Sequence, residues 1–164
     1  MDTESKSDTK QSRHGGPLPG LIRPPLVFLA ALLVGILLNW ARPLPFLASA
    51  LQPLGPVIIM CSVFLFLLSY LEFRAAGTPV RGSRRTTTIV RTGPYRFSRN
   101  PIYLSFILLV LGLSIWMKNV WSLIMLIPAV ALIALVVIPR EEAFLESNFR
   151  DQYAGYKSSV RRWL

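Results

Sequence analysis

The sequence predicts an all-α, polytopic membrane protein with four transmembrane helices, a tight hairpin between the last two, and an amphipathic cytoplasmic helix at the C-terminus. Three observations carry that prediction. Apolar residues make up 52% of the 164 residues and come in blocks, above the roughly 45–50% usual for soluble domains. Four of the blocks run for 17 residues or more without Asp, Glu, Lys or Arg, and a bilayer crossing takes about 20 apolar residues. The Lys and Arg residues alternate in number from one connection to the next, which is the pattern that sets membrane orientation.

Residues 1–20 are rich in Ser, Lys, Gly and Pro and nearly lack large apolar side chains. They are expected to be a disordered polar tail, leaving 21–164 as the membrane domain. The first run, Pro24 to Ala41, has 18 residues. The second, Pro43 to Leu71, has 29, but Pro45, Pro53 and Pro56 confine the regular helix to about 54–73, because proline breaks a helix interior. The third, Pro101 to Met117, has 17 residues and the fourth, Asn119 to Pro139, has 21, giving expected spans at 101–117 and 119–138. "SIWMKNVWS" at 114–122 reads as a very tight turn between them, with Trp116 and Trp121 suited to an interfacial belt. Beyond the fourth run, Leu145, Phe149, Tyr153, Tyr156 and Val160 recur at helical spacing. They mark one face of an amphipathic helix over about 140–160, resting on the membrane surface.

The cationic residues divide as four before the first run (Lys6, Lys10, Arg13, Arg23), one in the first connection (Arg42) and seven in the second. Those seven are Arg74, Arg81, Arg84, Arg85, Arg91, Arg96 and Arg99. One more lies in the third connection (Lys118), and five follow the last run (Arg140, Arg150, Lys157, Arg161, Arg162). Such alternation places both termini in the cytoplasm. The net charge of +10 flanks apolar runs instead of striping a soluble fold, so an anionic lipid surface is the expected partner and nucleic acid is not. One cysteine, Cys61, and one histidine, His14 in the polar tail, supply neither a disulfide framework nor a zinc site nor a Ser-His-Asp triad.

Polar chemistry concentrates in "RTGPYRFSRNPIY", residues 91–103. Asn100-Pro101 has the form of a helix start, with Asn at the N-cap and Pro at the first helical position. The same start presents free N–H groups and the positive dipole end to an anion. A hairpin of the third and fourth runs would return the pair Glu141-Glu142 to this place. Donors and carboxylates would then frame one cytoplasmic pocket. The bland alternative is a solvated helix end, with Glu141 and Glu142 paired to Arg140.

"GPYRFSRNPIY", followed some forty residues later by "EEAFLESNFRDQYAGYKSSV", resembles the isoprenylcysteine carboxyl methyltransferase and phospholipid N-methyltransferase superfamily of integral-membrane enzymes. The resemblance covers about residues 75–164. It implies S-adenosyl-L-methionine as methyl donor and a lipophilic acceptor: a prenylcysteine carboxylate, a phospholipid amine or similar. Carried over, it implies that Thr87, Thr88, Ile89, Val90 and Gly93 line the cofactor and that Tyr95 closes over it. Asn100, Pro101, Ile102 and Tyr103 would hold its amino-acid end, and Glu141 would meet its ammonium. Arg99, Asn100, Tyr103 and Glu142 form the implied catalytic set. Prenylcysteine members carry His where this chain has Asn100, and Arg where it has Val137, so the acceptor stays open. A membrane reductase using a nicotinamide dinucleotide, or a non-catalytic scaffold, are the competing readings.

Overall fold

Every regular element among the described residues is helical, in a computed structural model that describes residues 23–46, 49–77 and 88–163. The polar tail, Thr87, and three of the second connection's arginines (Arg81, Arg84 and Arg85) lie outside the described residues. Helix α1 spans Pro24–Ala41, α2 Leu54–Ala75, α3 Pro101–Trp116, α4 Val120–Leu132 and α5 Ile138–Ser159. Prolines open α1 and α3 at their first turns, where a missing N–H costs nothing. As the three prolines dictate, α2 begins only at Leu54, and it runs two residues beyond the expected end, to Ala75. Gly77, at φ 62°, terminates it in the left-handed conformation that a glycine allows. Glu72 lies in the last turn of α2.

The fourth apolar run and the C-terminal helix follow one another without an intervening loop, as helical residues from Val120 to Ser159. The join is a single π turn, Ile133–Val137, in which the Ile138 N–H donates to the Ile133 carbonyl. Pro139 is the cause: it has no N–H to donate and its ring crowds the carbonyl four residues back. A widened turn absorbs both problems without ending the helix. Ile133, Val137 and Ile138 are fully buried, so the wide turn packs inward. The break comes later, at Arg150, with φ 35° and ψ −112°, a strained conformation for a non-glycine residue. Glu146 and Lys157 meet across this kink at 2.5 Å, whereas eleven residues of straight helix would separate them by about 16 Å. The Glu146 carboxylate holds the Lys157 ammonium above its ordinary pKa.

Two close-packed pairs organise the bundle. Gly55 of α2 lies against Gly112 and Trp116 of α3, where an added Cβ would meet the Trp116 backbone nitrogen at 2.8 Å. Ser62 Oγ donates to the Ser105 carbonyl at 2.7 Å on the same seam. Gly35 of α1 lies against Ser122 of α4, so close that a Cβ on Gly35 would stand only 2.5 Å from the Ser122 Cα. Small residues that let backbones approach are how helices associate in lipid, where apolar burial alone gives no drive. Outward faces are apolar; Met60 is 72% exposed and Leu135 75%.

The predicted α3–α4 turn closes within three residues. Lys118 takes φ 55° and its N–H donates to the Ile115 carbonyl, while Asn119 N–H reaches back to Ser114 at 2.8 Å. That pair of hydrogen bonds is a Schellman ending. Asn119 then caps α4 by accepting from Ser122 N–H at 3.1 Å. At the same end, Trp121 Nε1 donates to the Arg42 carbonyl at 2.7 Å and Gln52 Nε2 to the Trp116 carbonyl at 3.1 Å. The four long helices therefore alternate in direction between two common ends. Three stretches, α1, α2 and the α4–α5 run, are long and apolar enough to cross a membrane. At 16 residues, α3 is shorter, rising about 24 Å.

Candidate functional site

The site forms at the end of the bundle opposite the α3–α4 turn, where the 91–103 segment enters α3. A short 3-10 turn, Gly93–Arg96, starts it. Gly93 has φ 56°, and a Cβ there would strike the Glu72 carboxylate, whose Cδ lies 2.8 Å away. Thr92 Oγ1 donates to the same carboxylate. This turn drives Tyr95 inward, edge-on to Phe73 with ring centroids 5.3 Å apart. Tyr156 of α5 secures it by donating its hydroxyl to the Tyr95 carbonyl at 2.8 Å. The predicted aromatic face of α5 is thus an inward face. Leu145, Tyr153 and Tyr156 are buried, with Ile89, Phe149 and Val160 packed against them. Arg91 adds a bond to the Gln152 carbonyl and lies 5.8 Å from the Tyr156 ring centroid.

Asn100 occupies the N-cap position of α3, but its side chain makes no cap bond. Its Nδ2 donates instead to the Arg162 carbonyl at 3.0 Å. The reason is the C-terminal segment, which folds back along the helix start: Arg99 N–H donates to the Arg161 carbonyl at 3.0 Å. Only the main chain of Asn100 performs its expected role, accepting from Leu104 N–H at 3.1 Å.

The two glutamates, adjacent on α5, part company. Glu141 accepts from Tyr103 Oη at 2.6 Å, the juxtaposition that the hairpin demands. Glu142 is buried and takes Arg99 at 3.0 Å and Arg162 at 2.7 Å. Two arginines on one buried carboxylate make a locked charge cluster that ties α3, α5 and the C-terminal segment together. Such a cluster holds geometry, and breaking it leaves a buried charge uncompensated.

Tyr95, Arg99, Asn100, Ile102 and Tyr103 surround, with Phe73, one void of about 20 Å³. Five residues expected at the cofactor or catalytic site therefore converge, with Glu141 bonded to one of them. Others do not join them. Thr88 is exposed, Val90 is part of the main core and Ile89 packs under the α5 aromatics. Gly93 faces Glu72. Sequence reading missed Arg162 and Glu72. Nothing in the pattern of the last residues marks Arg162, but Glu72 is the sole acidic residue between positions 9 and 140, and that isolation is a signal in itself. Chemically, the site offers a carboxylate and a phenol on one wall, and an amide and a helix N-terminus on the other. That donor set suits a zwitterion with an ammonium and a carboxylate.

The phospholipid methyltransferase family pattern matches residues 51–152, which takes in α2, the 91–103 segment, α3, α4 and most of α5. An uncharacterized protein of Haemophilus influenzae is 41% identical over 63 residues, covering 38% of this chain and 100% of the relative. No solved structure matches the chain significantly.

Proposed function

The chain belongs to the phospholipid methyltransferase family, and on that premise we propose that it moves a methyl group from S-adenosyl-L-methionine to a lipophilic acceptor at the cytoplasmic face of a membrane. The observation that carries the reading is the Tyr103–Glu141 hydrogen bond at 2.6 Å. It sets a carboxylate from α5 beside the N-terminal turn of α3, across the predicted hairpin.

Bound there, the cofactor supplies an electrophilic methyl group on a sulfonium. Glu141 holds its ammonium, with Tyr103 fixing the carboxylate's orientation. The Asn100 amide and the first turn of α3 from Pro101 to Tyr103 hold its carboxylate. Tyr95 and Ile102 would cover its apolar surface, and Thr88, Ile89 and Val90, with Thr87 by its place in the sequence alone, would line the adenosine. Arg99 and Glu142 act by keeping the first turn of α3 in register with α5. The charges fit. A void of about 20 Å³ holds about one water, and the Arg162 carbonyl on Asn100 Nδ2 is the contact that the cofactor's carboxylate would replace. Displacement at a sulfonium asks the protein for orientation and exclusion of water more than for acid–base groups, which accords with a membrane domain whose described residues include no histidine.

The remaining elements take their places in the same reading. All four long helices cross the bilayer, the short α3 enclosed by its neighbours, and the arginine-rich end faces the cytoplasm. A labelled-methyl transfer assay on total membrane lipids tests it. Purified protein is expected to label a lipid fraction in proportion to enzyme added, and absence of any labelled product with saturating cofactor contradicts it.

A further inference from the structure

Beyond α5 the chain turns back across the start of α3. Val160 is extended, with φ −126° and ψ 134°, and the next two carbonyls take donors at the site. Arg161 accepts from Arg99 N–H at 3.0 Å. Arg162 accepts from Asn100 Nδ2 at 3.0 Å and from Ser98 Oγ at 3.4 Å. Ser98, Arg99 and Asn100 are all buried, so these carbonyls cover the donors from outside. Two oxygens on donors of adjacent residues are also what an incoming carboxylate would bring. Two side chains fasten the segment: Arg162 forks onto Glu142, Nη2 at 2.7 Å and Nε at 3.3 Å, and Trp163 packs against the main apolar core.

The fastening can open without stranding a charge. The Arg162 side chain is 39% exposed, against 9% for Arg99. If Arg162 leaves for water, Arg99 stays on Glu142 at 3.0 Å. The buried carboxylate therefore keeps a cation, and the cost of an unpaired buried charge does not arise. Arg99 and Glu142 still hold α3 to α5 with the segment undocked.

We propose that residues 161–163 are an autoinhibitory strap that competes with the methyl donor's carboxylate for Asn100 and the start of α3, latched by Arg162 on Glu142. This rests on the methyltransferase reading of the Tyr103–Glu141 site. A docked strap lowers apparent cofactor affinity by the fraction of molecules that stay closed.

The test follows binding of labelled S-adenosyl-L-methionine over time to the full-length protein in nanodiscs. Arg162→Gln weakens the latch and leaves Arg99 on Glu142. It should bind the cofactor about tenfold faster and correspondingly tighter, the fold-change of one charge-assisted bond. Arg162→Lys keeps a cation on Glu142 and should restore most of the slow entry. Trp163→Ala, which loosens the other fastening, should also speed entry. A strap that only braces the fold gives the opposite result, weaker binding in Arg162→Gln. In the wild type, saturating cofactor should expose the Arg162–Trp163 bond to trypsin, read by intact mass. Unchanged or slower association in Arg162→Gln, or protection of that bond by the cofactor, overturns the proposal. If the wild type shows no saturable binding, it is the underlying methyltransferase reading that fails instead.

Discussion

The two ends of this helical bundle are built on opposite terms. At one end, α3 passes into α4 through Lys118 and Asn119 by short-range backbone and cap bonds, and neutral side chains of Trp121 and Gln52 tie in the neighbouring helix ends. Glycines and serines press the helices together nearby. At the other end the chain spends strain and charge. A π turn precedes the glutamates, the kink at Arg150 adds to the one left-handed residue, Lys118, of the first end, and Glu142 is buried between two arginines. The first end sets which helices are neighbours. The second uses that arrangement to hold Glu141 against Tyr103. Irregular helix is concentrated at the end where Glu141 meets Tyr103.

The contrast can be broken from either side. The largest effect is expected from Glu142→Gln. It removes the negative charge from a buried cluster, and one-sided loss of a buried pair costs about 3–5 kcal/mol. Thermal unfolding in detergent should show a large fall in Tm, with Arg99 and Arg162 left facing each other. Next comes Gly55→Ala at the opposite end, where the added methyl meets Trp116 Cβ at 2.7 Å. Overpacking of that kind costs about 1–3 kcal/mol. Methyl transfer per folded molecule should be unchanged, since the α2–α3 seam is remote from Tyr103.

Tyr103→Phe is the sharper probe of the charged end. It deletes one hydroxyl and its bond to Glu141, worth about 1.5 kcal/mol, so Tm should fall by a few degrees and cofactor affinity measured by filter binding should fall about tenfold as Glu141 loses its fixed orientation. The smallest effect belongs to Lys118→Gly. Relief of a left-handed lysine should stabilise the hairpin by about 1 kcal/mol, read as a rise in Tm with no change in activity. If Lys118→Gly altered cofactor affinity as much as Tyr103→Phe, the division between the two ends would collapse.

Much of this organisation was legible in the residues themselves. Prolines at 45, 53 and 56 placed the start of α2, and charge-free runs gave the extents of α1 and α3 to within a residue. The Lys118-Asn119 turn was short enough to force a hairpin, and the hairpin brought Glu141 to α3. What escaped did so for physical reasons. Pro139 reads as a helix end, yet a π turn that buries Ile133, Val137 and Ile138 carries the helix past it. Asn100 reads as a capping side chain, yet a long-range carbonyl from Arg162 outcompetes the local bond. Glu142 looks like Glu141 in sequence. One position of helix, about 100° of rotation, sends it to a different set of partners. Tertiary contacts separated by sixty residues leave no local trace.

The central claim is that Glu141, presented by Tyr103, seats a methyl donor. Equilibrium binding of labelled S-adenosylmethionine to wild type and Glu141→Gln in nanodiscs tests it most directly. The account predicts saturable binding to the wild type and about a tenfold or greater loss in the variant, with matching unfolding temperatures for the two proteins. Equal affinity in both, or no saturable binding to the wild type, would contradict it.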